Sequence, residues 1–534
     1  MLAVLAGLML PFVRPAEAAA IRPNFVVIQT DDQSSRLLES RYRGASGKFR
    51  RTMPHAVRMI LRSGTEFTNY YATSPVCTPS RASLLTGQYV SNHGLQTNVG
   101  AYGGWRGWQR LPLGRENLPV ALQEAGYRTA HLGKFLNGYF NRRNGRVTTA
   151  IPPGFDSWFT MSYRSSSNRF YGYEVNDNGF AVGPFGDRNY GTGRGLDPAA
   201  CRVDTRRVRI GGRLRRCNYG TDVITRRAVA SIENSGPRPF FMQIDYESPH
   251  GDVRPPEGPP PATRHMGTAS RTPLPRSPDF NEANFSDKPA IIRYAAPRKM
   301  NRKEIRARAA AYRRQIEAMR SVDQGIGEVM RALRRTGELA NTYVFILSDH
   351  GTFLGEHRFS HGKFLAYEEA ASVSMAVRGP GVPRGARSAE VVGNIDVPAT
   401  IFDLAGTAPR YPVDGRSLEP FWKDPRRKTR RGLGISLLAP VRGGDAPRAG
   451  TSDRSPSWRY RAFRVGPYKY INYWWAGEHE MYDLRRDPFE LENVYGKPAY
   501  ADVRAYMERH LDRFSKCQGA ACRVELPPWP EPST

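Results

Sequence analysis

Cys77 opens the stretch Cys77-Thr78-Pro79-Ser80-Arg81, and its neighbours say what a thiol could do there. Pro79 suits the first helical position and Gly87 a helix end, so a short helix is expected with Cys77 and Thr78 at its N-terminal end. Free backbone N–H groups and the positive end of the helix dipole let sulfate or phosphate sit at such an end. Arg81, one turn on, adds a fixed positive charge. A lone cysteine in this place is more often a packing residue, so anion chemistry here needs partners from elsewhere in the chain.

Four apolar runs that end on polar groups can supply those partners. Asn24-Phe25-Val26-Val27-Ile28-Gln29-Thr30 runs into Asp31-Asp32, and Tyr127-Arg128-Thr129-Ala130-His131-Leu132-Gly133 runs into Lys134. Pro239-Phe240-Phe241-Met242-Gln243-Ile244-Asp245 leads to Pro249-His250, and Tyr343-Val344-Phe345-Ile346-Leu347-Ser348 leads to Asp349-His350. Their β-rich, apolar content predicts buried parallel strands. Ligands of open α/β sheets bind beyond the carboxyl ends of the strands, so the four endings can converge on one site. Singly, each has a plainer reading: an Asp-Asp pair after a strand is more often a turn or a cap, and a lone lysine is solvated surface.

Helical segments separate the runs. The clearest spans about 302–335, where Ile305, Tyr312, Ile316, Met319, Ile326, Met330 and Leu333 recur at near-helical spacing and Gly337 offers a stop. Strand and helix alternate over roughly residues 20–405, which predicts an α/β fold with a large, mainly parallel sheet sandwiched by helices. Residues 160–220, rich in Gly, Asn, Arg and Tyr, and 251–300, rich in Pro and Arg, read as long surface loops that shape a substrate pocket. From about 411 the pattern changes to short strands near 458–465, 468–473 and 480–484, with turns at Gly466-Pro467 and Gly477. The expected organisation is a signal peptide over 1–18, a catalytic domain over 19–410 and a smaller C-terminal α+β subdomain over 411–534 with a short antiparallel sheet.

The 534 residues are enough for such a domain with an appendage. Leu2 to Leu10 form an apolar run ahead of Pro11 and the small-x-small site Ala16-Glu17-Ala18, which reads as a secretory signal although it lacks the usual basic start. No later stretch is long and apolar enough to span a bilayer, so a secreted protein with no transmembrane anchor is expected. With Cys77 set aside, Cys201 with Cys217 and Cys517 with Cys522 are two locally closable disulfide pairs, and neither spacing resembles a zinc site. The first would pin the 160–220 stretch. The formal charge of +29 suits polyanionic partners, though a genome-wide arginine bias leaves the same composition. Basic residues are scattered except in Arg426-Arg427-Lys428-Thr429-Arg430-Arg431, and no nucleic-acid module accompanies them, so nucleic acid is not an expected partner.

Cys77-x-Pro79-Ser80-Arg81 followed by Ala82-Ser83-x-Leu85-Thr86-Gly87 resembles the signature of the sulfatase family. In that family an enzyme oxidises the cysteine to formylglycine, whose hydrated aldehyde is the nucleophile. The resemblance implies that fate for Cys77, with a formylglycine-generating maturation enzyme as a partner. Hydrolysing a sulfate ester needs an in-line nucleophile, neutralisation of the non-bridging oxygens and a proton for the leaving alcohol. By the same resemblance Asp31, Asp32, Asp349 and His350, with the modified Cys77, match the ligands of one divalent metal ion. Three carboxylates favour Ca²⁺. Lys134 and Lys363 match two lysines that clamp the sulfate, joined by Arg81, and His250 matches a histidine that assists protonation of the leaving group.

One departure stands out. Many members carry Lys-x-His after the glycine, the histidine helping to deprotonate the hydrate, whereas here Leu136 takes that place. Gly133-Lys134-Phe135-Leu136-Asn137, Ser91-Asn92-His93 and the spacing from Lys363 to Tyr367-Glu368 resemble instead the branch containing N-acetylglucosamine-6-sulfatases. Tyr482-Asp483-Leu484 with Asp487-Pro488-x-Glu490 resembles the C-terminal region of bacterial sulfatases. His93, His131, His357 and His361 are candidates for the pocket wall, with ordinary hydrogen-bonded structure as the alternative.

The resemblance implies an alkaline-phosphatase-like fold and a secreted calcium-dependent sulfatase, acting on 6-sulfated amino sugars of glycans and on aryl sulfates. Two other functions compete. A phosphonate or phosphodiester hydrolase fits the same scaffold, because a hydrated aldehyde can attack phosphorus as well as sulfur. A non-enzymatic polyanion-binding protein needs no nucleophile precursor, metal ligands and clamps together.

Overall fold

The computed structural model describes residues 22–533 apart from 141–147, 163–169, 172, 186–206, 211–212, 217, 252–257, 296–297 and 439–458. The expected signal peptide and the Cys201–Cys217 pair lie outside these residues.

Ten strands form one sheet: β1 (Asn24–Thr30), β2 (Thr65–Tyr71), β3 (Arg128–Gly133), β4 (Ser157–Ser162), β5 (Tyr173–Asp177), β6 (Phe180–Phe185), β7 (Phe240–Asp245), β8 (Thr342–Ser348), β9 (Ser372–Arg378) and β10 (Ala386–Gly393). Their order is β10-β2-β9-β8-β1-β7-β3-β4-β5-β6. The run β8-β1-β7-β3-β4 is parallel throughout. Antiparallel pairings, β9 on β8 and β5 on β4, close each side of that run. The four strands expected from the sequence are therefore neighbours, and Gln29 pairs with Asp245, Asp245 with Gly133 and Thr30 with Ser348. Their carboxyl ends finish level.

Alternation along the central strands explains why both faces are covered. With Cys77–Thr86 labelled α1, Val26 and Ile28 pack with Ile224 of α2 (Gly220–Glu233) and with Ile316, Met319 and Ile326 of α3 (Arg302–Arg335). Phe25 and Val27 pack on the opposite face with Leu84 of α1 and with Ile401 and Phe402 of α4 (Asp396–Ala405). Each such aliphatic side chain taken fully out of water contributes about 1.5–3 kcal/mol. Asn301 and Glu304 form a capping box at the start of α3, and Gly337 follows its end at φ 82°.

A second, four-stranded antiparallel sheet is built by β11 (Leu433–Leu437), β12 (Tyr460–Val465), β13 (Tyr468–Tyr473) and β14 (Glu478–Asp483). Phe514 of α5 (Ala501–Phe514) packs on Phe463 of this sheet, and Cys517 and Cys522 form the expected disulfide.

Two sequence expectations are corrected. In the first part of the expected 160–220 loop the described residues are strand instead, because β4, which begins at Ser157, β5 and β6 extend the main sheet there and bury Met161 and Val175. The stretch 258–289 is mostly irregular, ahead of the short helix Ala290–Ala295, yet buries Asp279, Glu282 and Lys288. Its anchors are side chains, for Lys288 Nζ donates to the carbonyls of Glu490 at 2.7 Å and Leu491 at 3.1 Å. The basic run is also not one continuous patch, since Arg431 is buried against Asp396 at 2.7 Å. Among the described residues no helix is long and apolar enough to cross a membrane.

Candidate active site

The level ends of β8, β1, β7 and β3 deliver their following residues to one buried cluster. β1 delivers Asp31 and Asp32. Consecutive strand side chains point to opposite faces, but Asp32 leaves the strand at φ 60°, and both carboxylates reach the cluster. β8 delivers Asp349 and His350, β3 delivers Lys134, and the turn after β7 carries Glu247 and His250.

α1 brings Cys77. The helix starts at Cys77 itself, two residues ahead of the proline expected to open it, and all ten of its residues are buried. Gly87 ends it at φ 72°, where a Cβ would stand 2.7 Å from Val413. Asn394 Nδ2 donates to the carbonyl and the hydroxyl of Ser80, each at 3.0 Å, and the Thr78 N–H donates to Asn98 Oδ1 at 2.9 Å. So held, Cys77 Sγ lies 3.1 Å from Lys363 Nζ, 3.4 Å from His350 Nε2 and 3.8 Å from Asp31 Oδ1. Lys363 also donates to Asp32 Oδ1 at 2.7 Å.

Arg81, only 1% exposed, sits among three carboxylates. Its Nη2 is 3.0 Å from Asp349 Oδ2 and 3.5 Å from Asp31 Oδ2, and its Nη1 is 3.4 Å from Asp245 Oδ2. Burial opposes the guanidinium charge, but Asp349, Asp31 and Asp245 outweigh it and hold the group protonated. Burial likewise pushes the Asp31 and Asp32 carboxyls up. Lys134, His250, Arg81 and Lys363 overcome this at Asp31, as His250, Lys363 and His350 do at Asp32, and both stay below the usual carboxylate range. Two anionic carboxylates at one buried point are what a hard cation requires.

Asp31, Asp32, Cys77 and His350 each offer a donor atom within 4.8 Å of the others. His350 Nδ1 donates to the Gly351 carbonyl at 2.9 Å, which turns its Nε2 towards Cys77 Sγ. Asp349 stands slightly apart: its Oδ1 accepts the N–H groups of Asp32 at 3.2 Å and His350 at 2.9 Å, while its Oδ2 accepts from Arg81. It braces the two strand ends against each other.

His250 Nδ1 donates to the Gly251 carbonyl at 2.8 Å, leaving Nε2 3.6 Å from Asp32 Oδ2. Burial lowers the imidazole pKa, but Asp32 and Asp31 outweigh it and raise the net value. Lys134 Nζ pairs with Asp31. Burial works against that ammonium too, and Asp31, Cys77 and Glu247 together more than compensate. The nucleophile candidate, both lysines, the arginine and His250 are thus brought together as the sequence implied.

The other candidate histidines have hydrogen-bonded partners of their own. His93 meets the Ser83 hydroxyl and the Leu95 N–H, and burial pushes it down to about 3. His131 joins Asp245 at 3.0 Å to Thr160 at 2.7 Å, His357 bonds Glu282 at 2.8 Å, and His361 meets Ser360 at 2.9 Å. Sequence reasoning missed Asp245 and Glu247 as site residues. Asp245 had a signal, being the last residue of a strand whose neighbours end on site groups. Glu247 had none. It lies 4.0 Å from Lys134 Nζ, and burial, only partly offset by Lys134, pushes its carboxyl up to about 8. Leu136 packs with Phe135, Trp105, Trp108 and Trp158, so that position gives the site no polar group.

Comparison with known proteins agrees with this geometry. The family model described as Sulfatase matches residues 23–407, and one described as N-sulphoglucosamine sulphohydrolase, C-terminal, matches residues 454–517. An extracellular sulfatase Sulf-1 homologue of Caenorhabditis elegans is 34% identical over 399 residues, which cover 74% of this chain but only 48% of that protein. The N-acetylglucosamine-6-sulfatase of Homo sapiens is 27% identical over 531 residues, covering 95% of this chain and 87% of that one. A structure solved in complex with its substrate D-glucosamine-2-N,6-O-disulfate superposes with a TM-score of 0.70 at 23% identity, covering 93% of this chain and 98% of the other. A likeness at that identity is one of fold.

Proposed function

Because the chain belongs to the sulfatase family of sulfuric ester hydrolases, we propose that it is a secreted, metal-dependent sulfatase that draws its nucleophile from Cys77 and acts on 6-sulfated amino sugars. The observation that carries this reading is the position of Cys77 Sγ, within 3.8 Å of Lys363, His350 and Asp31 at the convergence of four strand ends. A polyanion-binding protein has no use for a buried thiol ringed by two lysines and paired carboxylates. The 6-sulfate assignment follows the human relative, whose match covers 95% of this chain.

Asp31, Asp32, His350 and the residue-77 side chain would hold one divalent cation, with Asp349 beside them. The donor set fits: both paired carboxylates are anionic, and three aspartates favour Ca²⁺. When bound, such an ion draws charge from a sulfate oxygen and makes the sulfur more electrophilic. The chain's own groups do the rest. Lys134 and Lys363 flank residue 77 and can neutralise the non-bridging oxygens, while Arg81 fixes the carboxylates from behind. His250, whose Nδ1 is tied to a carbonyl, presents a proton on Nε2 for the departing alkoxide.

The test is a comparison of kcat/KM for a 6-sulfated glucosamine, a nitrophenyl sulfate and a nitrophenyl phosphodiester on one calcium-loaded, formylglycine-bearing preparation. A sugar alkoxide needs protonation that a stabilised phenolate does not. His250→Ala should therefore cost roughly 10²–10⁴-fold on the sugar and far less on the aryl sulfate. A clear preference for the phosphodiester would move the assignment to phosphorus chemistry on this scaffold. High aryl activity without sugar activity would sink the 6-sulfate reading.

Metal dependence is checked separately. Asp32→Asn should weaken calcium binding by more than the roughly 10–100-fold that losing a mere supporting group costs, read as calcium retained after dialysis. Wild-type calcium content in that variant would refute the ligand assignment.

A further inference from the structure

Apart from the proposed active site, a second set of donor atoms is assembled from three separate segments. Asp279, His357 and Glu369 each place one ligand atom within 4.8 Å of the others. The backbone builds the arrangement deliberately. Residues 279–282 run against 355–358, with the His357 N–H on the Asp279 carbonyl and the Asn281 N–H on the Gly355 carbonyl, each at 2.8 Å. Glu369 enters from the short helix Glu368–Ala371, and the ring of Tyr367 just before that helix stacks on His357 with centroids 4.2 Å apart.

Three features distinguish this set from an ordinary acidic patch. Asp279 is 0% exposed, and neither of its carboxylate oxygens accepts a hydrogen bond; Arg36 comes no nearer than 4.0 Å. His357 is fully buried, and its Nδ1 bonds Glu282 Oε2 at 2.8 Å. That is how a carboxylate orients a metal-bound imidazole, leaving Nε2 for the ion. Here Nε2 makes no hydrogen bond and lies 3.6 Å from Glu369 Oε2. Glu369 also lines a cavity of about 150 Å³ together with Ser34, Arg36, Thr352 and Glu356, which gives an ion a way in and room for water ligands.

We propose that Asp279, His357 and Glu369 form a second, structural metal site for a first-row divalent ion such as Zn²⁺, Mn²⁺ or Co²⁺. One imidazole nitrogen with only two carboxylates suits these ions, whereas the active-site set adds Asp349 and the residue-77 side chain to its two carboxylates and so leans towards calcium despite His350. Bound there, the ion ties the 351–369 loop, which carries Lys363 to the active site, onto the 277–285 segment.

The experiment uses the full chain, stripped with chelator, saturated with calcium and then titrated with cobalt(II). The expected result is one further equivalent of metal per chain by elemental analysis, lost in Asp279→Asn and in Glu369→Gln while the calcium equivalent is kept. No cobalt bound by calcium-saturated wild type overturns the proposal, and leaves His357 as an imidazolium locked between carboxylates. Cobalt bound equally by both variants also overturns it. Should the variants not fold, crystals of the wild type soaked in cobalt decide the matter: an anomalous peak between Asp279, His357 and Glu369 supports the site, and its absence there refutes it.

Discussion

Cys77→Ser is expected to lose multiple turnover by at least about three orders of magnitude and to accumulate a covalent sulfate ester at residue 77. Loss of a catalytic nucleophile commonly costs this much or more. The serine hydroxyl occupies the place of Sγ, beside Lys363 and His350, and keeps the surroundings needed to attack sulfur. The S–O bond to the leaving alcohol breaks, and the alkoxide takes a proton. Release then fails, because an ester on a serine has no second hydroxyl on the same carbon whose deprotonation could expel sulfate. Intact mass measured after incubation with nitrophenyl sulfate should show one added sulfo group, absent in Cys77→Ala. Wild-type turnover in Cys77→Ser would falsify the nucleophile assignment.

The second large effect is on stability. Arg81→Met keeps most of the side chain's length but leaves Asp31, Asp245 and Asp349 facing one another, buried and without their shared cation. Removing one partner from a buried ionic set costs about 3–5 kcal/mol, because the remaining charges stay desolvated and unpaired. Denaturant unfolding of chelator-stripped protein should show that loss, and calcium should restore part of it by mass action on the folded state. Arg81→Lys should fall between the two, since an ammonium supplies charge without the planar fork that meets three carboxylates. A stripped Arg81→Met protein within about 1 kcal/mol of wild type would mean the guanidinium is not what holds these carboxylates together.

Much of the sheet was legible because its central strands combine two local signals, a continuous apolar run and a charged residue at its end. Asn24–Thr30 before Asp31 and Thr342–Ser348 before Asp349 are examples. The helix Arg302–Arg335 was equally plain, since its apolar spacing and its terminal Gly337 lie within the segment itself. Strands Ser157–Ser162 and Tyr173–Asp177 were hidden by glycine- and asparagine-rich surroundings that read locally as loop. Pairing on the existing edge makes them strands, and pairing is not a local property. Leu433–Leu437 was missed likewise, being a short, glycine-containing edge strand.

At the site, Cys77, Lys134, His250 and Lys363 were accessible through the family resemblance, because each stands in a recognisable local motif. Glu247 was not. Its significance comes from burial beside Lys134, more than a hundred residues away in the chain. The bracing role of Asp349 is of the same kind, for it depends on which N–H groups the end of β1 offers it.

The position of β1 also sets a clock. It lies between β7 and β8, both far later in the sequence, and Asn24 pairs with Thr342. At roughly 5–20 residues per second, the interval between synthesis of Cys77 and of Thr342 is on the order of ten seconds or longer. Over that interval the central sheet cannot close above α1. Once it does, Cys77 is 0% exposed and the Cys77–Thr86 backbone is fixed in a helix whose ten residues are all buried. The oxidation of this thiol that the proposed function requires would therefore fall before the sheet closes, and the late arrival of β8 keeps that opportunity open.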